Sequence, residues 1–167
     1  MAKSGQELGG GLTANVEQRG NGTHVTLAGA VTELANFDKL KALRGAARVD
    51  LSGIDRMNSL GVRAWCHFVR DAEAAGLALT FERCSPVIVE QIAMISNFFG
   101  TKSQVVSLLA PYYCEGCGTE HTQLIERTGN TPMQVPQENT CPKCGKAAVV
   151  DEPENMYAAL SQSLAGR

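Results

Sequence analysis

The chain has 167 residues, a formal net charge of −2 and a hydrophobic content of 44%. That much apolar side chain fills a core and excludes a disordered tail, while the near-balance of charge excludes wholesale nucleic-acid binding, which needs a basic excess. No window approaches the roughly 20 apolar residues that span a bilayer, and the N-terminus lacks the apolar core of a secretory signal, so a cytoplasmic protein is expected.

Residues 1–11, with Gly5, Gly9, Gly10 and Gly11, read as a flexible leader. Residues 12–18 and 23–31 are strand-like runs around Gly20-Asn21-Gly22, a strong hairpin signal. His24, on the second run, is expected to be an exposed strand residue, because no partner lies near it in sequence. Residues 33–43 fit an amphipathic helix capped by Thr32, with Leu34, Phe37 and Leu40 on one face. A short strand over 47–51 follows.

A second helix is predicted over 59–75. Gly61, Trp65, Phe68 and Ala72 recur on its core face, and Gly76 stops it. Residues 77–82 alternate as a strand. Ser85-Pro86 then opens a third helix, with proline at its first position. Its stripe of Ile88, Ile92, Ile95 and Phe99 faces the core. A second stripe, Val87, Met94 and Phe98, suits a contact with another copy of the chain. Residues 104–110 form a last strand. Strands alternating with helices imply an α/β domain with a mostly parallel sheet, made mixed by the opening hairpin.

Between the third strand and the second helix, Asp50-Leu51-Ser52-Gly53 ends a strand and Asn58-Ser59-Leu60-Gly61 opens a helix. Helix N-termini gather anions, because their first N–H groups lack partners and the macrodipole is positive there. Asn58 and Ser59 are also preferred cap residues, and capping is the plainer reading of the pair. The two quartets resemble the signature of the STAS family, the domain of sulfate transporters and anti-sigma factor antagonists. The resemblance covers residues 12–110 and implies the STAS-like mixed sheet packed with helices. It also implies a partner surface at Asn58, Ser59, Leu60 and Gly61, and a signalling partner such as a kinase-like anti-sigma factor. The family's quartet is Asp-Ser-Ser-Gly, with its second serine phosphorylated. Here the acid is the amide Asn58 and the phosphoacceptor position is Leu60, which has no hydroxyl. The resemblance therefore implies constitutive docking, with Ser59 as a secondary phosphorylation candidate.

From residue 111 the character changes. Cys114-Glu115-Gly116-Cys117-Gly118 and Cys141-Pro142-Lys143-Cys144-Gly145 are near-identical turns. In a cytosolic chain such pairs point to metal rather than to disulfides. Four thiolates in a tetrahedron at about 2.3 Å are what structural Zn²⁺ takes, and glycine after each second cysteine lets the chain turn sharply. Residues 111–150 thus read as a Cys₄ zinc ribbon with ligands Cys114, Cys117, Cys141 and Cys144. A thioredoxin-like dithiol needs only one such pair. With all four positions filled by protein, the zinc is expected to be structural and to supply much of the folding energy of so small a module.

Within the ribbon, residues 123–126 and 133–135 suit short strands, and His121 reads as an exposed loop residue. Tyr112 and Tyr113 are expected to pack between the modules, which are joined too tightly for a flexible tether. Residues 151–167 form a tail with a short helix over 154–164, its apolar side made by Met156, Leu160 and Leu164 with Tyr157 beside them. Cys66 and Cys84 read as buried small hydrophobes.

Residues 111–167 carry four basic side chains (Arg127, Lys143, Lys146, Arg167) and seven acidic ones (Glu115, Glu120, Glu126, Glu138, Asp151, Glu152, Glu154). Such a surface repels phosphate backbones, so a second protein contact is expected rather than nucleic acid. No phosphate loop or nucleophile constellation occurs, and no enzyme is expected. The reading is a non-catalytic signalling or scaffold protein. The alternatives are a nucleic-acid-binding regulator working through the ribbon and a soluble STAS subunit of a membrane transporter.

Overall fold

The computed structural model describes residues 5–151 and 156–157. The hairpin forms, but one residue earlier than Asn-Gly would turn it: Gly20 and Asn21 make the loop, and Gly22, paired with Arg19, already belongs to the second strand. β2 (Leu12–Arg19) and β3 (Gly22–Val31) pair antiparallel around the turn. In β3, Val25 and Leu27 point into the core, while His24 and Thr26 point to the other face.

The leader departs from expectation. Residues 6–9 form an edge strand, β1 (Gln6–Gly9), antiparallel to β2. Leu8 is only 1% exposed, and its burial holds the strand in place. Residues 1–4 lie outside the described part of the chain.

The helix expected over 33–43 is a second correction. Only one 3-10 turn forms there, at Phe37–Leu40. Asn36 N–H donates to the Leu8 carbonyl at 2.6 Å instead of closing a helical turn. The Asn36 side chain then accepts from Asp38 N–H at 2.9 Å and starts the short turn. Phe37 and Leu40 still reach the core, but Leu34 is 64% exposed.

β4 (Ala46–Met57) is far longer than the strand expected over 47–51 and runs up to the cap of the next helix. Parallel pairing with β3 continues through Ala28↔Gly53 to Val31↔Met57, with two register irregularities that let the chain run on. α1 (Ser59–Ala74) follows, then β5 (Ala78–Glu82), parallel to β4. Gly61, Trp65 and Phe68 are buried on α1 as expected. Ala72 is only half-buried, and Val69 and Glu73 are buried beside them.

α2 (Pro86–Met94) starts at Ser85-Pro86 as predicted but stops early. Asn97 takes a left-handed φ of 60°, which no helix allows. Phe98 and Phe99 therefore leave the helix and insert into an aromatic cluster with Trp65 and Phe81. Trp65 Nε1 donates to the Phe98 carbonyl at 3.1 Å and locks the turn. The stripe of Val87, Met94 and Phe98 proposed for self-contact thus does not exist: Phe98 is buried and Met94 is 69% exposed.

β6 (Gln104–Val105) completes a six-stranded mixed sheet in the order β1-β2-β3-β4-β5-β6. β7 (Ser107–Cys114) belongs to a second, four-stranded antiparallel sheet with β8 (Thr119–Glu126), β9 (Glu138–Thr140) and β10 (Ala147–Val150), in the order β8-β7-β10-β9. The boundary expected at 110/111 falls inside β7. Its first residues are hydrogen-bonded to the first sheet's side: Cys84 N–H donates to Ser107 O, and Leu109 N–H to Cys84 O. One strand therefore carries the chain from one sheet into the other through backbone bonds, not through a linker. Residues 133–135 form no strand; instead Met133 is buried. Of the helix expected over 154–164, only Met156 and Tyr157 are described, both helical, and the rest lies outside the described residues. Among the described residues, no helix is long and apolar enough to cross a membrane.

Candidate functional site

The two CxxC turns fold alike because their sequences are alike. In each, the glycine after the second cysteine donates back to the first cysteine's carbonyl, Gly118 to Cys114 at 2.8 Å and Gly145 to Cys141 at 2.9 Å. Both glycines have left-handed φ, 66° and 73°, which a Cβ would strain. β7 delivers Cys114 to the cluster, and Cys141 follows directly on β9. The second sheet places the turns face to face.

The four sulfurs lie within 4.8 Å of one another. Across the turns, Cys114 Sγ is 3.5 Å from Cys144 Sγ, and Cys117 Sγ is 3.7 Å from Cys141 Sγ. A tetrahedron with bonds of about 2.3 Å has edges of about 3.8 Å, so the donor set fits a thiophilic ion. Cys114 and Cys141 are buried, Cys117 is half-buried and Cys144 is exposed.

Their protonation is uneven. Thr119 beside Cys117, at 3.3 Å, pulls that thiol down to about 6, against the effect of burial. The backbone amides of Cys144 and Lys143 lower Cys141. The Lys146 amide favours a thiolate at Cys144, but burial and three crowding sulfurs push that thiol up to about 11. Four thiolates this close would need a cation between them. The four cysteines lie close enough together to hold a metal ion.

His121 is not a loop residue. It lies on β8, stacks on Tyr112 at 5.8 Å and pairs through Nε2 with Asn139 Oδ1 at 3.2 Å. It buttresses the second sheet and is no part of the cysteine cluster. Tyr112 is fully buried and donates to the Pro136 carbonyl at 2.6 Å, pinning the 127–137 loop. Tyr113 is half-buried on the opposite side of β7.

The start of α1 is the second place singled out by sequence. Asn58 Oδ1 accepts from Gly61 N–H at 2.8 Å, so the cap is real. Its Nδ2 donates to Glu33 Oε2 at 2.6 Å, and its backbone N–H donates to the Val31 carbonyl at 3.2 Å. That explains the amide: an aspartate here would face the Glu33 carboxylate. The Asn58 hydrogen bond and Glu33's own backbone keep that carboxyl below its usual value.

Ser59 and Leu60 are exposed, Leu60 by 56%. Gly61 lies beneath them, where a Cβ would come 2.0 Å from the Val31 carbonyl oxygen. The quartet thus presents three residues to solvent and uses the fourth for close packing. Gly61→Ala is expected to destabilise by about 3 kcal/mol and Asn58→Ala by about 1 kcal/mol, measured by urea denaturation. Equal effects would contradict these separate roles.

Sequence reasoning missed two polar clusters. His24 Nε2 is 2.8 Å from Glu82 Oε1, a residue 58 positions away, and Arg48 pairs with the other Glu82 oxygen. Burial alone would raise Glu82, but Arg48 and His24 outweigh it and hold the carboxyl down. The period-2 alternation of β3, β4 and β5 places all three on one face, and that was the available signal. Glu73, 7% exposed, accepts from the backbone N–H groups of Thr101, Lys102 and Ser103 and from Ser103 Oγ. Nothing local in the sequence announces it. Cys84 is buried, and burial pushes its thiol up, as it does less strongly for half-buried Cys66.

No family model matches the chain, and no curated protein matches it.

Proposed function

We propose that this is a non-catalytic, STAS-like signalling or scaffold protein. It docks a protein partner at the start of α1 and carries a zinc ribbon as a second contact module. The observation that supports the docking surface most is Leu60, a large apolar side chain held 56% exposed on the first turn of a capped helix. A leucine there costs solvation when free and gains it when covered. It also occupies the family's phosphoacceptor position, so docking is constitutive. Ser59, exposed beside it, is a secondary modification site whose phosphate would oppose an apolar contact.

Zn²⁺ is the ion that best suits four sulfur donors with no open position. Its role is to hold the second sheet. The acidic excess of residues 111–167 disfavours nucleic acid and favours a protein contact.

The test is paired capture from the native cell, with wild-type and Leu60→Asp baits of matched circular dichroism. A protein retained at least about tenfold better by the wild type is expected, since covering one leucine contributes roughly 1.5–3 kcal/mol. Identical captures on both baits would exclude α1 as the docking surface.

A further inference from the structure

We propose that the cavity between α1 and the 95–101 turn is an anion site that takes the phosphoryl group of a small ligand. The cavity measures about 400 Å³ and is lined by Arg63, His67, Arg70, Glu73 and Ser96, among others. Arg63, His67 and Arg70 lie along one face of α1. The two arginines are seven residues apart, about 10 Å along the axis, with the histidine between them. Two guanidinium forks at that separation can close on one tetrahedral anion.

Arg63 is free to do so, while Arg70 is partly engaged. Arg63 has no hydrogen-bond or ion-pair partner among the described residues. Arg70 Nη2 lies 2.7 Å from His67 Nδ1. A guanidinium only donates, so Nδ1 accepts and the ring proton sits on Nε2. His67 is thereby set as a further donor, with Arg70 orienting it. Ser96, exposed on the turn, adds a hydroxyl.

The one carboxylate lining the cavity keeps its negative charge, but its oxygens are committed to other donors. Glu73 already accepts four hydrogen bonds, from Thr101, Lys102 and Ser103, and is turned inward by them. Asp71 stands 3.7 Å from Arg70 Nε, but both side chains are more than half exposed, so this pair is weak and screened. Two arginines against one carboxylate leave the lining with an excess of one positive charge, in a protein of net charge −2. Phosphate is the anion whose geometry and charge match two arginine forks.

The test is titration of the isotope-labelled full chain with inorganic phosphate, and separately with glycerol phosphate, at ionic strength held constant by chloride. Saturable shifts of the Arg63 and Arg70 Nε–Hε signals and of the Ser96 amide are expected. Arg63→Gln and Arg70→Gln should each weaken binding about tenfold, while Lys143→Gln on the ribbon leaves it unchanged. The tighter of the two probes identifies a free anion or a monoester as the ligand. Linear drift reproduced by chloride would overturn the site, as would saturable binding that survives both arginine changes.

Discussion

Chelation of the full-length protein, or Cys114→Ser, is expected to melt the second sheet and leave the first standing. The second sheet has few buried side chains of its own: besides its cysteines, Leu108, Ala110, Tyr112, Ile125 and Ala148, with Met133 from the neighbouring loop. A core that small does not offset the entropy of ordering about 40 residues. Structural zinc contributes an apparent 10–16 kcal/mol or so in modules of this size, far more than those side chains supply. Without the ion, the crowded sulfurs at 3.5 and 3.7 Å also lose the charge that holds them together. Hydrogen exchange reads the outcome directly. Amides over 119–126 and 138–150 should lose at least ~100-fold in protection, while those of β3 and β4 keep theirs. Elemental analysis should return one zinc per chain. A fully protected second sheet in metal-free protein would refute the metal's structural role.

Glu73→Ala should be among the most damaging single changes in the first sheet's half. It leaves three backbone N–H groups and the Ser103 hydroxyl, gathered around one carboxylate, without their acceptor. Unsatisfied buried donors cost about 1–3 kcal/mol each, and water will enter to relieve some, so a total of about 3–5 kcal/mol is expected. That corresponds to a fall of roughly 10 °C in Tm for a chain of this size. Glu73→Gln should fall between the two, since its amide keeps one acceptor but adds two donors.

The same group sets a pH dependence. Burial alone would raise the Glu73 carboxyl, but the Ser103 hydroxyl and the three amides hold it below the usual carboxylate range. A folded value below the unfolded one gives stability that is full above the unfolded value. It is lost as pH falls through the folded value. Glu82, held down by Arg48 and His24, acts in the same direction. Urea midpoints should therefore drop below about pH 4, and the drop should be smaller in Glu73→Gln. An unchanged acid limb in that variant would remove Glu73 from the account.

The elements legible in sequence are those whose cause is local. Gly20-Asn21 carries the hairpin because glycine at the first loop position takes its left-handed φ of 58° without strain. Asn58 caps α1, and Gly61, Trp65 and Phe68 face inward, because a helix repeats every 3.6 residues whatever surrounds it. The two CxxC turns fold alike because their glycines and cysteines sit at the same spacing. The parallel core of the sheet follows from the alternation of strands and helices.

Where expectation failed, a distant partner overrode a local pattern. Residues 33–43 have helical periodicity, but the Leu8 carbonyl takes the Asn36 N–H and leaves a single 3-10 turn. β4 outruns its apolar segment because β3 offers backbone partners as far as Met57. α2 ends early because Phe98 and Phe99 are worth more in the Trp65 cluster than on a continuing helix. His24 and Glu73 found partners too remote in sequence for any spacing rule to reveal.

Sequence by itself determined the α/β class, the long capped helix, the altered quartet at its start and the four sulfur donors, all of which rest on short-range sterics, turn preferences and periodicity. Only the tertiary structure decided that β7 joins both sheets, that Glu73 is saturated by a loop 28 to 30 residues away, and that Arg63 and Arg70 share a cavity whose one lining carboxylate, Glu73, is committed to that loop. Those outcomes depend on which buried polar group finds which partner across the fold, and that competition is settled only when the whole chain has packed.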